Sequence, residues 1–376
     1  MTRVTFAHVD LAALAHNTRT VAGWLGRESP DRPAPALIGV VKANAYGHGA
    51  VPVARTLERS GAASVACADI EEAVVLREGG VRGPILVFGA LSLSDLDDVF
   101  HLGLTPSIST PTAAREIERA AARHGVRVGV HLKIDTGMNR LGFRFDNLGR
   151  TLLGVLESKN LAIEGVYTHF ATADDPDPGL FDEQQARFAR ALDTLRGWGV
   201  APGTVHAANS AAVLRGPATW HDAVRPGLLL YGALHDGAGT AGLRPVMRLE
   251  SRVVAVKGVR QGEPVGYGAR FRAERPTTIA IVPAGYADGL DTRMAGRADV
   301  LIGGRRARVV GSVCMDMIMV DVTGIEAGPG DEVVIIGAQG RDEVTVGELA
   351  SRVGTIPYEL LCRVGARIER VYNRLA

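Results

Sequence analysis

Cysteine is scarce: Cys67, Cys314 and Cys362 lie far apart with no C-x-x-C pair, which argues against a disulfide framework and against a thiolate metal site. Reduced thiols and no metal are expected. The chain has no apolar run of about eighteen residues, and its N-terminus lacks a basic segment followed by an apolar stretch and a small-residue cleavage site. A soluble, cytoplasmic protein is the expectation. Charge of one sign is also missing: the net charge is +1 with both signs interspersed, so no long-range field gathers nucleic acid or an anionic membrane. Neither is expected as a partner, and any charged ligand must be held by local groups.

What is present is a chain of 376 residues, 46% hydrophobic and 22% charged, a composition of folded rather than disordered protein. That length exceeds what one hydrophobic core usually serves, so two domains are expected. From Asp10 the spacing of Leu11, Leu14, Val21, Trp24 and Leu25 predicts an amphipathic helix with an Asp N-cap. Short β-branched runs ending in polar residues then alternate with helical stretches: Leu37 to Lys42, Ser64 to Asp69, Ile85 to Phe88, Leu104 to Ser109, Val126 to Asp135, Ile163 to His169, Thr204 to Asn209 and Val224 to Tyr231. Alternation implies a parallel sheet. Eight repeats over roughly 230 residues approach the ~250 of a (β/α)8 TIM barrel, with an open doubly wound sheet as the alternative. Past about residue 242 short strands with Gly-rich turns take over: Glu250 to Val256, Thr278 to Val282, Asp299 to Ile302, Arg306 to Val310, Met317 to Val322, Glu332 to Ile336 and Arg367 to Val371. Helices are expected at Val346 to Val353 and from Pro357. The reading is a barrel over residues 1–242 and a mainly-β domain over 243–376, with the first ten or so residues placed to pair with the latter.

In a barrel, polar residues at the C-terminal ends of strands face the active site. Here they are Lys42, Asp69, Lys133, Asp135, His169, Asn209 and Arg225. A lysine closing an apolar strand is costly if buried, unless it is paired, neutralised or covalently used. Taken alone, Lys42 reads rather as a solvated strand end and Tyr267 as an aromatic in a glycine-flanked turn, while Arg225 reads equally as a surface ion pair.

The strings settle the choice. VVKANAYGHG from Val40 is similar to the cofactor-lysine signature of alanine racemases. The resemblance continues through KIDTGMNRLGF from Lys133, YTHFATAD from Tyr167, HAANSAA from His206, VRPGLLLYG from Val224, GYGARF from Gly266, AGYADG from Ala284, VCMDM from Val313 and PYELLCR from Pro357. It covers nearly the whole chain, in order. The family it resembles joins a barrel that binds pyridoxal 5'-phosphate to a β domain and works as a head-to-tail homodimer, without metal.

The resemblance implies the following roles. Lys42 holds the cofactor and, once freed by substrate, acts as the base on one face, provided its surroundings lower its pKa from about 10.4. Tyr267 of a second subunit is the base on the other face, poised through His169 and Arg225. Arg225 faces the pyridine nitrogen and keeps it unprotonated, which favours prompt reprotonation over decarboxylation or transamination. The phosphate takes backbone and hydroxyl donors around Ser210, Gly227 and Leu228, with Tyr46 and Tyr358 adding hydroxyls and Asn209 beside them. Arg140 steadies substrate and cofactor, the Met315 amide of the partner holds the substrate carboxylate, and Tyr286 narrows the entrance. Lys133, His206 and Asp316 support this set. Lys133 is either carbamylated, as in many members, or paired with Asp135.

The implied reaction is interconversion of L- and D-alanine, supplying D-alanine for peptidoglycan. A broad-specificity racemase acting on Ser, Lys or Arg shares every one of these residues. A non-catalytic barrel protein carrying the same cofactor lacks the second domain and Tyr267, and a barrel-type decarboxylase is disfavoured by Arg225.

Overall fold

Residues 4–30, 32–89, 96–177, 179–234 and 242–373 are described by a computed structural model. The chain divides into two compact units, one of residues 18–45 and 50–230, the other of residues 1–17, 46–49 and 231–376.

The first unit is a closed barrel, as the strand rhythm predicts. Eight strands, Ala36–Val40, Ser64–Cys67, Ile85–Val87, Thr105–Ile108, Val128–Asp135, Leu161–Tyr167, Thr204–His206 and Ala223–Val224, pair in parallel with their neighbours. The last returns to the first through Ala223 opposite Ala36. The strands are short and β-branched because both faces are covered, which leaves no room for a polar alternation. Longer helices alternate with them. Pro111–His124 shows the local logic: Thr110 caps it, Pro111 starts it, and Gly125 ends it in a left-handed conformation. Inside the barrel a Cβ on Gly165 would sit 2.5 Å from the His131 ring, so the glycine makes room for a histidine on the neighbouring strand.

The second unit is built on a ten-stranded sheet. Its order runs Ala255–Val259, Thr277–Val282, Ile318–Asp321, Arg305–Val310, Asp299–Ile302, Glu332–Gln339, Met247–Arg252, Phe6–Val9 and Glu369–Tyr372, with Asp342–Val344 added beside Glu332–Gln339. Phe6–Val9 pairs antiparallel with Met247–Arg252 and parallel with Glu369–Tyr372. Helices Val346–Val353 and Pro357–Arg363 fall where expected. The predicted single strand from Glu250 to Val256 is two strands. Val253 donates to the Asp331 carbonyl and Val254 to the Ile281 carbonyl, so the chain exchanges one pairing partner for another at that point. A small hairpin of Pro264–Val265 and Phe271–Arg272 was not anticipated; its glycine-rich tip hid two strands of two residues each. Among the described residues no helix is long and apolar enough to cross a membrane, and no cluster of His, Cys, Asp or Glu could hold a metal.

Candidate active site

Arg225 follows the eighth barrel strand and is 4% exposed. One guanidinium nitrogen donates to His206 Nδ1 at 2.8 Å. The other donates to the carbonyls of Thr168 (2.8 Å) and Ala207 (2.9 Å) and to His169 Nδ1 (3.3 Å). The rings of Tyr167 and Phe88 lie 5.2 and 5.9 Å from it. Among the described residues it forms no ion pair. Burial draws its pKa down to about 10, which leaves it charged at neutrality.

That fixed donor sets the tautomers around it. His206 Nδ1 must accept, so its proton is on Nε2, which lies 2.8 Å from His131 Nδ1. His131 accepts in turn and carries its proton on Nε2. His169 Nδ1 also accepts, so its Nε2–H is directed away from Arg225. Burial, then the charge of Arg225, keeps all three imidazoles neutral, with His131 down at about 4. The sequence named His169 and His206 but missed His131 and Tyr167, which stacks on His206 at 4.8 Å. A signal existed, since His131 and Lys133 are two apart on one strand and therefore share a face.

Lys133 is buried, and its pKa falls to about 8 through burial, Arg140 and Arg225, with Lys42 adding to the effect. It forms no ion pair with Asp135. That carboxylate is turned to the backbone N–H groups of Gly137 (3.0 Å) and Asn139 (3.1 Å), where it shapes the loop leading to the exposed Arg140.

Lys42 stands just beyond the first strand, half-buried. The next four residues, Ala43, Asn44, Ala45 and Tyr46, all have φ between 50° and 54°, a left-handed turn without glycine. Each such residue costs roughly 1–2 kcal/mol against the right-handed form, and strain of this kind collects at functional sites.

Near the seventh and eighth strands, Asn209 Oδ1 caps helix Ser210–Arg215 through Ala212 N–H. The buried Ser210 Oγ accepts from the amides of Gly227 (2.9 Å) and Leu229 (3.2 Å). The Leu228 N–H, on a residue 1% exposed, has no acceptor among the described residues. Lys42, Lys133, Arg140 and Arg225 act on one another or on His169 as cations, and among the described residues Asp135 is the one carboxylate acting on Lys133. A cationic group with an unserved buried amide fits an anionic ligand, and the phosphate of pyridoxal phosphate together with one amino-acid carboxylate would fit that donor set.

In the other unit, Tyr46 is buried with its ring 5.2 Å from Tyr231 and 5.6 Å from Tyr358. Tyr267 sits in a turn between the hairpin strands and is 77% exposed, with Ser312 Oγ donating to its carbonyl at 2.8 Å. Tyr286 and Met315, 45% and 53% exposed, are brought together by main-chain bonds: Tyr286 N–H to Cys314 O and Ala287 N–H to Met315 O, both 3.0 Å. A Cβ on Gly285 would lie 2.3 and 2.4 Å from those two carbonyls, so only glycine allows the approach. Asp316 is exposed and paired with Arg367.

Two family profiles match the chain: "Alanine racemase, N-terminal domain" over residues 9–235 and "Alanine racemase, C-terminal domain" over residues 246–372. The alanine racemase of Desulforamulus reducens is 41% identical over 372 residues, covering 98% of each chain. That of Sorangium cellulosum is 40% identical over 383 residues and covers 99% of each. Among solved structures, an alanine racemase from Bacillus anthracis with bound L-Ala-P superposes with a TM-score of 0.91 at 34% identity, over 100% of this chain and 96% of that one. An alanine racemase from D-cycloserine-producing Streptomyces lavendulae gives 0.94 at 35%, over 100% and 98%.

Proposed function

Because the chain belongs to the alanine racemase family, we propose that it interconverts L- and D-alanine with pyridoxal 5'-phosphate, using Lys42 and the Tyr267 of a second copy as bases on opposite faces. The observation that carries this reading is Arg225: a buried, charged guanidinium held by His206, His169 and two carbonyls, without a carboxylate partner among the described residues. When bound, the cofactor supplies the electron sink that makes the substrate Cα–H acidic enough for protein bases. Arg225, a donor with no lone pair to accept a proton, would face the cofactor's ring nitrogen and disfavour its protonation, which would favour return of the proton over other fates.

The residues then divide the work. The amide of Leu228, the Ser210 and Gly227 segment capped by Asn209, and the hydroxyls of Tyr46 and Tyr358 hold the phosphate. Arg140, steadied by Lys133 once that amine is carbamylated to an anion, and the Met315 amide hold the substrate carboxylate, while Tyr286 limits side-chain size and Asp316 fixes the Met315 loop through Arg367. Lys42 takes or returns a proton at Cα on one face. Tyr267 is too exposed to work alone, and its projection from the surface suits insertion into the barrel mouth of a second copy, aligned by the outward Nε2–H of His169. D-alanine made this way serves peptidoglycan synthesis.

Reduction of the purified protein with borohydride, followed by peptide mapping, is expected to place a pyridoxyl group on Lys42. Incubating either enantiomer of alanine in deuterated water is expected to give both enantiomers with deuterium at Cα. An adduct on another lysine overturns the site, and a decarboxylated or unlabelled product overturns the reaction.

A further inference from the structure

One carboxylate outside the proposed machinery is bound into the turn that presents Lys42. Glu72 lies in the first turn of helix Ile70–Glu78, which is already capped: Asp69 Oδ1 accepts the Glu72 N–H at 2.9 Å. Its side chain is therefore not needed to finish the helix, and its two oxygens go elsewhere. Oε1 accepts the Ala43 N–H at 2.6 Å and Oε2 accepts the Ala68 N–H at 2.7 Å.

Those two amides come from the ends of adjacent barrel strands. The first two strands pair up to Val40 opposite Ala66, and Val41 N–H still reaches the Ala66 carbonyl at 2.8 Å. Beyond Val41 the chain turns left-handed and the ladder stops. Glu72 stands in for the missing ladder acceptors, one oxygen to each strand, through charge-assisted bonds roughly twice as strong as neutral ones. Lys42 is thus the residue between two anchors, Val41 held by the sheet and Ala43 held by Glu72. The far side of the turn is tied as well, by Ala45 N–H to the Val41 carbonyl and by Ala50 N–H to Asn44 Oδ1, both 2.8 Å. Four non-glycine residues with positive φ persist only where the surroundings over-determine them. Without the Ala43 anchor the turn has a lower-energy right-handed or extended alternative, and either one re-aims the lysine.

We infer that Glu72 is a positioning residue: by bridging Ala43 and Ala68 it holds the left-handed turn that aims the Lys42 amine. The inference rests on the reading of Lys42 as the cofactor lysine. Glu72→Gln keeps the size but offers one acceptor oxygen to two N–H groups, and turns an NH2 group toward the other.

The full chain, stripped of cofactor with hydroxylamine, is tested with two probes. Pyridoxal 5'-phosphate condenses with the Lys42 amine and releases one water; pyridoxamine 5'-phosphate carries the same ring and phosphate but no aldehyde. In Glu72→Gln the rate of attachment to Lys42 is expected to fall at least tenfold, while affinity for the pyridoxamine form stays within about twofold of the parent and thermal unfolding is nearly unchanged. Glu72→Asp, which keeps the charge but is too short for both amides, is expected to lie between and provides the comparison should the glutamine variant fail to fold. Equal attachment rates in parent and variants overturn the inference, as does a parallel loss of both probes, which marks a general structural role. Failure of the parent itself to attach the aldehyde at Lys42 overturns the functional reading instead.

Discussion

Arg225 commits its donors to four acceptors, and two of those are main-chain carbonyls. A strand-ending arginine and its link to His169 were legible in the sequence; its two carbonyl acceptors were not, because a carbonyl has no residue type, and His131 joins it only through His206. Arg225→Lys keeps the charge but loses the planar fork. Buried acceptors left unserved cost about 1–3 kcal/mol each, so urea unfolding should show a loss of about 2–4 kcal/mol, with kcat/KM falling tenfold or more. A variant with parent stability would show that the fork is not needed. Tyr267 behaves differently because it is exposed. Tyr267→Phe should leave folding within about 0.5 kcal/mol and act on proton transfer alone. Enantiomers are equal in energy, so the ratio of kcat/KM between the two directions cannot change, and isotope exchange is the informative measurement. In deuterated water, the enantiomer whose Cα–H faces Lys42 should exchange with retention while inversion is lost for both. Undiminished inversion would remove Tyr267 from the mechanism.

Among the elements, the first seven barrel strands were readable because a strand covered on both faces must be a short apolar run, most of them ending in a polar residue; the eighth, expected over Val224 to Tyr231, stops at Val224, and the chain then turns. What escaped were elements defined by backbone conformation. Ala43 to Tyr46 contains no glycine to announce its left-handed turn, and the hairpin bearing Tyr267 has strands of two residues. The approach of Tyr286 to Met315 depends on Gly285, whose sequence context, a glycine before a tyrosine, signals only a turn. Gly285→Ala would put a methyl group well inside contact distance of two carbonyls, and main chain cannot swing aside as a flexible side chain does. The bend carrying the Met315 amide, just before strand Ile318–Asp321, would shift. If that amide holds the substrate carboxylate, KM for alanine should rise about tenfold while cofactor affinity is unchanged. A variant with altered cofactor affinity and unaltered KM would relocate the carboxylate site.

At the scale of the whole molecule, the buried imidazoles couple folding to pH. His131, His169 and His206 are held neutral by burial and by Arg225, His131 at about 4 and the other two well below their ordinary value. In the unfolded chain each takes up a proton below about 6.5; in the folded chain His131 does so only near pH 4, and the other two only well below their ordinary value. Stability is therefore full above that pH and is lost as pH falls through it, by about 1.4 kcal/mol per pH unit for each histidine until its folded value is reached. For His131 alone the loss reaches on the order of 3 kcal/mol near pH 4, a large part of a typical folding free energy. Burial also lowers the pKa of His221, so urea midpoints between about pH 7.5 and 5 should fall with up to four protons taken up on unfolding. Protein and cofactor concentrations must be held constant, because ligand binding and association both shift the apparent stability. His131→Asn should remove one proton from that slope while His169 and His206 keep theirs. A parent profile flat over this range would mean that the imidazoles are already charged in the fold, and the chain of tautomers from Arg225 through His206 to His131 would have to be abandoned.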